Sequence, residues 1–229
     1  MSESVWERVE AARERNDVLR HPFYLRWSAG ELTAEELSDY SGQYRHAVVA
    51  LAELSAYAAE SLPEHSELVG HASEEREHVA VWDEFVRAVD GDPAAAPTPQ
   101  TAECSASWSR RDGTLAALGR LYAIESGQPQ ISETKLEGLR RHYGVDSPSA
   151  TRYFTIHRGR DVEHAAEGRV LLEGLIGSAE EEDQVVAAAE DAFRANLKLL
   201  DGVLSDPRAR WQRRPAQANL LAWGRHEPL

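Results

Sequence analysis

The chain has 229 residues, with 39 Asp or Glu against 25 Lys or Arg, nine His and a formal net charge of −14. That balance excludes nucleic acid as a partner, because such binding relies on Lys and Arg displacing counterions from phosphates, and it disfavours anionic lipid surfaces. The mean hydropathy of −0.52 comes with no apolar run of roughly 18 residues to span a membrane, and a lone Cys104 rules out an internal disulfide or a cysteine zinc cluster and fits a reducing cytoplasm.

The N-terminal residues are charged from position 3 and show no apolar secretion-signal core. The length fits one domain over 1–229. Helical patterns predict elements at about 3–19, 33–61, 64–90, 112–143 with a break near Pro129, 148–176 and 179–205, while 100–110 is compatible with a short additional helix. Capping boxes open two of them, at Thr33 with Glu36 and at Ser178 with Glu181. Ser147 followed by Pro148 opens a third. Gly91, Gly144 and Gly177 each follow an amphipathic run and suit left-handed helix ends. The stretch GDPAAAPTP at 91–99 reads as an interhelical loop. No segment alternates with period two, so the expectation is an all-α fold of about seven helices.

The strongest chemical pattern is HRGRDVEH at 157–164. At about 100° per residue, Asp161 and His164 lie roughly 40° and −20° from His157, so the three side chains share a face. That face also carries Tyr153, Phe154 and Leu172 and therefore points inward. A carboxylate buried between two imidazoles requires compensation, for which a metal is the simplest source. HASEEREH at 71–78 repeats the arrangement: His71, Glu75 and His78 share a side with Leu68, Trp82 and Phe85, whereas Glu74 points about 60° the other way. Glu125 adds one carboxylate to the apolar face of Leu118, Leu121 and Tyr122. Mixed imidazole and carboxylate donors without thiolate suit iron or manganese rather than zinc or magnesium. Tyr40 and Tyr44 fall on the inward stripe of Leu37, Ala47, Leu51 and Leu54.

Four segments carry a resemblance: HPFYLRWSAGEL at 21–32, DYSGQYRH at 39–46, ESGQPQISETKLEGL at 125–139 and the 157–164 run. They resemble the haem-oxygenase-like helical superfamily that includes TenA, PqqC and the non-haem diiron oxidases, most closely its CADD-like branch, which is named for a chlamydial protein associating with death domains. The resemblance implies a haem-oxygenase-like (TenA/PqqC-like) bundle that binds two iron ions, or an iron/manganese pair, and uses O2 as co-substrate. It implies metal ligation by the residues matching His78, Glu125, His157, Asp161 and His164. His71 stands where the family has a glutamate, so either Glu75 or Glu74 supplies the replacement or one metal site is weaker; helix phase favours Glu75. The branch is implicated in making 4-aminobenzoate by consuming one of its own tyrosines, with a lysine as suggested nitrogen donor. The matching positions are Tyr24, with Tyr40 as the neighbouring phenol, and Lys135, one of only two lysines in the chain. A homodimer is common in the superfamily.

The expected function is thus an O2-activating dimetal oxidase with a self-derived substrate. Two alternatives remain open: the same oxidase acting on a diffusible amino acid or fatty acid, and a non-enzymatic interaction protein. A TenA-type thiaminase needs a cysteine nucleophile beside the pocket, and Cys104 falls in the 100–110 segment.

Overall fold

The computed structural model describes residues 4–205, and among these every regular element is helical. In chain order they are α1 (Val5–Arg15), a short 3-10 turn (Val18–Arg20), α2 (Pro22–Ala29), α3 (Ala34–Ser61), α4 (Ser66–Ala88), α5 (Pro99–Trp108), α6 (Thr114–Gly138) with a wider π-type turn (Leu139–Tyr143), α7 (Pro148–Leu175) and α8 (Ala179–Ser205). No helix of the described residues is long and apolar enough to cross a membrane.

The start signals act largely as their chemistry dictates. Thr33 and Glu36 form a complete capping box at α3. Ser147 accepts from the Ala150 N–H with Pro148 at the first turn of α7. Ser178 accepts from Glu181 N–H, but the Glu181 carboxylate accepts from Gly177 N–H, one residue beyond the Ser178 N–H of a reciprocal box. Of the three glycines expected to be left-handed, only Gly144 is, at φ 65°. After α4 that conformation falls on Asp90, and Gly91 is instead a close-approach position against Ser41 and Val86.

Two further features depart from the expected elements. Residues 22–29 form a separate helix whose Phe23, Tyr24 and Trp27 are all buried. The expected break near Pro129 does not occur, since α6 runs unbroken through it. An interior proline forfeits one backbone hydrogen bond and costs about 3 kcal/mol. Burial of Leu118 and Leu121 before it and Ile131 and Leu136 after it outweighs this, at roughly 1.5–3 kcal/mol per large apolar side chain.

Helix α6 is central, packed between α7 and α8 and touching α2 and α3; α4 closes the bundle by packing on α3 and α7. The faces of α4, α6 and α7 that meet therefore converge on one interior region. Gly138 lets α2 approach α6, because a Cβ there would overlap the Trp27 indole, whose N–H donates to the Lys135 carbonyl at 3.3 Å.

Candidate metal centre

On α4, His71, Glu75 and His78 follow i, i+4, i+7 spacing and lie on one buried stripe. On α7, His157, Asp161 and His164 do the same, and α6 contributes Glu125. All seven residues are at most 6% exposed. The structure thus brings together every metal-type residue expected from the sequence.

Their spacing divides into two clusters sharing one residue. His71, Glu75 and His164 offer ligand atoms within 4.8 Å of one another, and so do Glu75, His78 and His157. Glu75 Oε1 is 3.0 Å from His78 Nδ1 and 3.7 Å from His71 Nε2. The other two carboxylates stand beside a histidine each. Glu125 Oε1 is 2.8 Å from His71 Nε2, and Asp161 Oδ2 is 2.9 Å from His157 Nδ1. The His71 and His164 rings stack with centroids 3.9 Å apart, and those of His78 and His157 meet at 4.6 Å. Of the two adjacent carboxylates, Glu75 faces the cluster, whereas Glu74 is partly exposed and pairs with Arg160.

The donor set fits a cation. His71 Nε2, Glu75 Oε2, Glu125 Oε1, His157 Nε2 and His164 Nδ1 are buried without an aligned hydrogen bond. Each such polar atom costs about 1–3 kcal/mol when left unpaired, so five in one small volume call for a compensating ligand. Imidazole nitrogen and carboxylate oxygen without thiolate are donors that iron accepts.

Without a cation, the charge is balanced by protons. Burial pushes the Glu125 carboxyl up to about 7, against the pull of His71. Burial disfavours charge on His71 as well, yet Glu125 and Glu75 overcome it and raise the imidazole to about 10. Burial would raise Glu75, but bonds to His71 and His78 hold it well below the usual carboxylate range. His164 goes down to about 4, through burial and the neighbouring His71. Metal binding must displace the protons that these groups share, so affinity should increase with pH.

Beside the cluster lies an aromatic box. The Lys135 Nζ sits 4.3 Å from the Tyr44 ring centre, 5.4 Å from Tyr40 and 5.9 Å from Tyr24, with Trp82 and Phe154 closing the other sides. Burial alone lowers its amine to about 7. Tyr24 and Tyr40 are likewise buried, which raises both phenols far above their ordinary value. Tyr153 stacks on His157 at 4.1 Å and meets Trp82 at 4.8 Å, and Trp82 meets Tyr44 at 5.0 Å. Trp82 and Tyr153 were not singled out as site residues from sequence. Their signal was present, since each lies four residues from a site histidine, His78 and His157.

A cleft of about 740 Å³ between α4, α6 and α7 reaches His71, Glu125 and His164 from outside. Leu68, Leu118, Leu121 and Leu171 line it, whereas Lys135 and the tyrosines at 24, 40 and 44 do not. Cys104 is buried in α5 with its thiol pushed far up by burial, and it lines no part of this cleft.

Residues 47–197 match the family model described as iron-containing redox enzyme, a span that includes all seven candidate ligands and Lys135 but not Tyr24, Tyr40 or Tyr44. A 4-aminobenzoate synthase of Nitrosomonas europaea is 29% identical over 220 residues, covering 86% of this chain and 89% of that protein. Among solved structures, a haem oxygenase-like domain of unknown function from Shewanella denitrificans superposes with a TM-score of 0.77 at 19% identity, covering 94% of this chain and 98% of that one. A CADD-like protein of unknown function from Nostoc punctiforme gives 0.62 at 15% identity, covering 87% and 95%. The fold is therefore haem-oxygenase-like, and the reading as a non-enzymatic interaction protein gives way to an enzymatic one. With its buried imidazole and carboxylate cluster, the chain belongs to the iron-containing redox enzyme family and is an oxidoreductase.

Proposed function

We propose that the chain holds two iron ions, or an iron/manganese pair, and uses O2 to convert one of its own tyrosines into 4-aminobenzoate, the product named for its Nitrosomonas relative. In this reading His71, Glu75 and His164 hold one ion and Glu75, His78 and His157 the other, with Glu125 and Asp161 completing the set from His71 and His157. A reduced dimetal centre supplies the capacity to activate O2. The protein supplies a sealed box in which the Tyr24 and Tyr40 phenols stay protonated and a substantial share of Lys135 is the neutral amine with a free lone pair.

The observation that carries this reading is the enclosure of Lys135 among three tyrosines that the cleft does not reach. Among the described residues, that cleft offers a diffusible substrate no contact with the box. The test is a single exposure of anaerobically Fe(II)-loaded protein to O2, with 4-aminobenzoate and intact protein mass quantified together. The expected yield is at most one product per chain, with Tyr24 modified, and none from Tyr24→Phe or Lys135→Met. Repeated turnover with Tyr24 intact would overturn it.

The cleft supports a second reading, oxidation of a diffusible small molecule, since its floor is the His71, Glu125 and His164 side of the cluster. Multiple turnovers on an added amino or fatty acid would favour that reading.

A further inference from the structure

Glu74 and Glu75 are adjacent on α4, so a helical turn of about 100° sends them in different directions. Glu75 enters the cluster. Glu74 meets α7, where Arg160 and His164 lie one turn apart on the same stripe. Arg160 grips Glu74 in a two-pronged pair, Nη2 to Oε1 at 2.8 Å and Nε to Oε2 at 3.1 Å. The same Oε2 stands 3.4 Å from His164 Nε2. On the opposite side of that ring, Nδ1 is buried without a hydrogen bond and faces Asp161 at 3.9 Å.

A neutral imidazole carries one proton on one of its two nitrogens, and the outer partner decides which. A carboxylate opposite one nitrogen holds the proton there and leaves the other nitrogen's lone pair free for a metal. We propose that Glu74, held by Arg160, is a positioning residue for His164: it accepts from Nε2–H and so presents Nδ1 inward as the ligand atom. The bidentate arginine matters because Glu74 is partly exposed, with 36% of its side chain accessible, and without an anchor its carboxylate would turn to water. This role rests on the metal-centre assignment above.

The test uses the full-length, metal-free protein titrated with Co2+ under anaerobic conditions, read by stoichiometry, affinity and the visible d–d absorption of bound Co2+. Wild type is expected to take two ions. Glu74→Ala should retain one at wild-type affinity and weaken the other roughly 10- to 100-fold, with a changed visible spectrum. Glu74→Gln still offers an amide oxygen to Nε2–H, so it should recover part of that loss. Arg160→Ala should fall between wild type and Glu74→Ala, and Glu77→Ala on the exposed face should change nothing. If the alanine variant does not fold, the isosteric Gln variant carries the test through its smaller but one-sided loss.

Lowered thermal stability with both affinities and the spectrum unchanged would overturn the proposal, since that is what a merely structural ion pair predicts. Equal weakening of both sites would overturn it too. A wild-type chain that takes up no Co2+ would refute the metal centre itself, a different failure from two wild-type sites indifferent to Glu74.

Discussion

The metal cluster and the aromatic box share α4, α6 and α7, yet they accommodate buried ionisable groups in opposite ways. In the cluster, carboxylates and imidazoles face one another, and their charges are matched by protons when no cation is bound. In the box, one lysine is surrounded by rings, and burial pushes its amine toward neutrality. The first arrangement has the donors that could exchange protons for a cation, and the second favours an uncharged amine. Among the described residues, the cleft of about 740 Å³ is lined by His71, Glu125 and His164 of the first and by no residue of the second.

The largest expected effect comes from removing the residue that both halves of the cluster share. Glu75→Ala should abolish binding of both ions, and the double variant His157→Ala/His164→Ala should do the same while most helicity is retained. Metal analysis by mass spectrometry with far-ultraviolet circular dichroism reads both. Full metal content in either variant would dissolve the distinction between the two regions.

A smaller effect sharpens the distinction through pH. The Lys135 amine is lowered to about 7 in the folded chain and has an ordinary value of 10.5. Between those values the unfolded chain binds more protons, so stability rises with pH. His71 is raised to about 10 from 6.5 in the metal-free chain, so its contribution is present below 6.5 and lost as pH rises toward 10. The two slopes oppose each other, each limited to about 1.4 kcal/mol per pH unit. Burial opposes it, but Asp161 raises the His157 imidazole above 6.5 as well, which adds to the falling slope, so metal-free wild type should not gain stability as pH rises above 7. Relative to wild type, Lys135→Met should lose stability more steeply with rising pH, and His71→Gln less steeply. Urea unfolding at several pH values measures this, and parallel profiles for the two variants would contradict the assignment.

The smallest of these effects concerns Trp27, which packs behind Tyr24 and Tyr40 of the box. Gly138→Ala forces the Trp27 indole away from α6, and overpacking of this kind costs about 1–3 kcal/mol. Chemical denaturation should show that loss while metal stoichiometry stays at the wild-type value. A parallel loss of metal would mean that the two regions are mechanically coupled.

Much of the cluster could be read from sequence because helical phase is local. HRGRDVEH places three donors on one face whatever the rest of the chain does, and the apolar neighbours state which way the face points. The same phase separated Glu75 from Glu74. Helix α2 is absent from the expected elements, since eight residues are too few for a helical period to stand out, although Pro22 and the left-handed Gly30 mark its two ends. Pro129 carries a local helix-breaking tendency, whereas packing on both sides of α6 decides the outcome. The nearness of Tyr153 and Trp82 to Tyr44 spans three helices, and no spacing within one helix encodes it.

Pro129 also bears on the one candidate ligand that α6 supplies. It follows Glu125 by four residues, and a proline has no N–H to offer the Glu125 carbonyl. The backbone rung that would clamp Glu125 is therefore missing, while its side chain is held on one side by His71. The turn of α6 that carries Glu125 thus has one backbone hydrogen bond fewer than the corresponding turns of α4 and α7, and its position is set by packing and by the His71 contact.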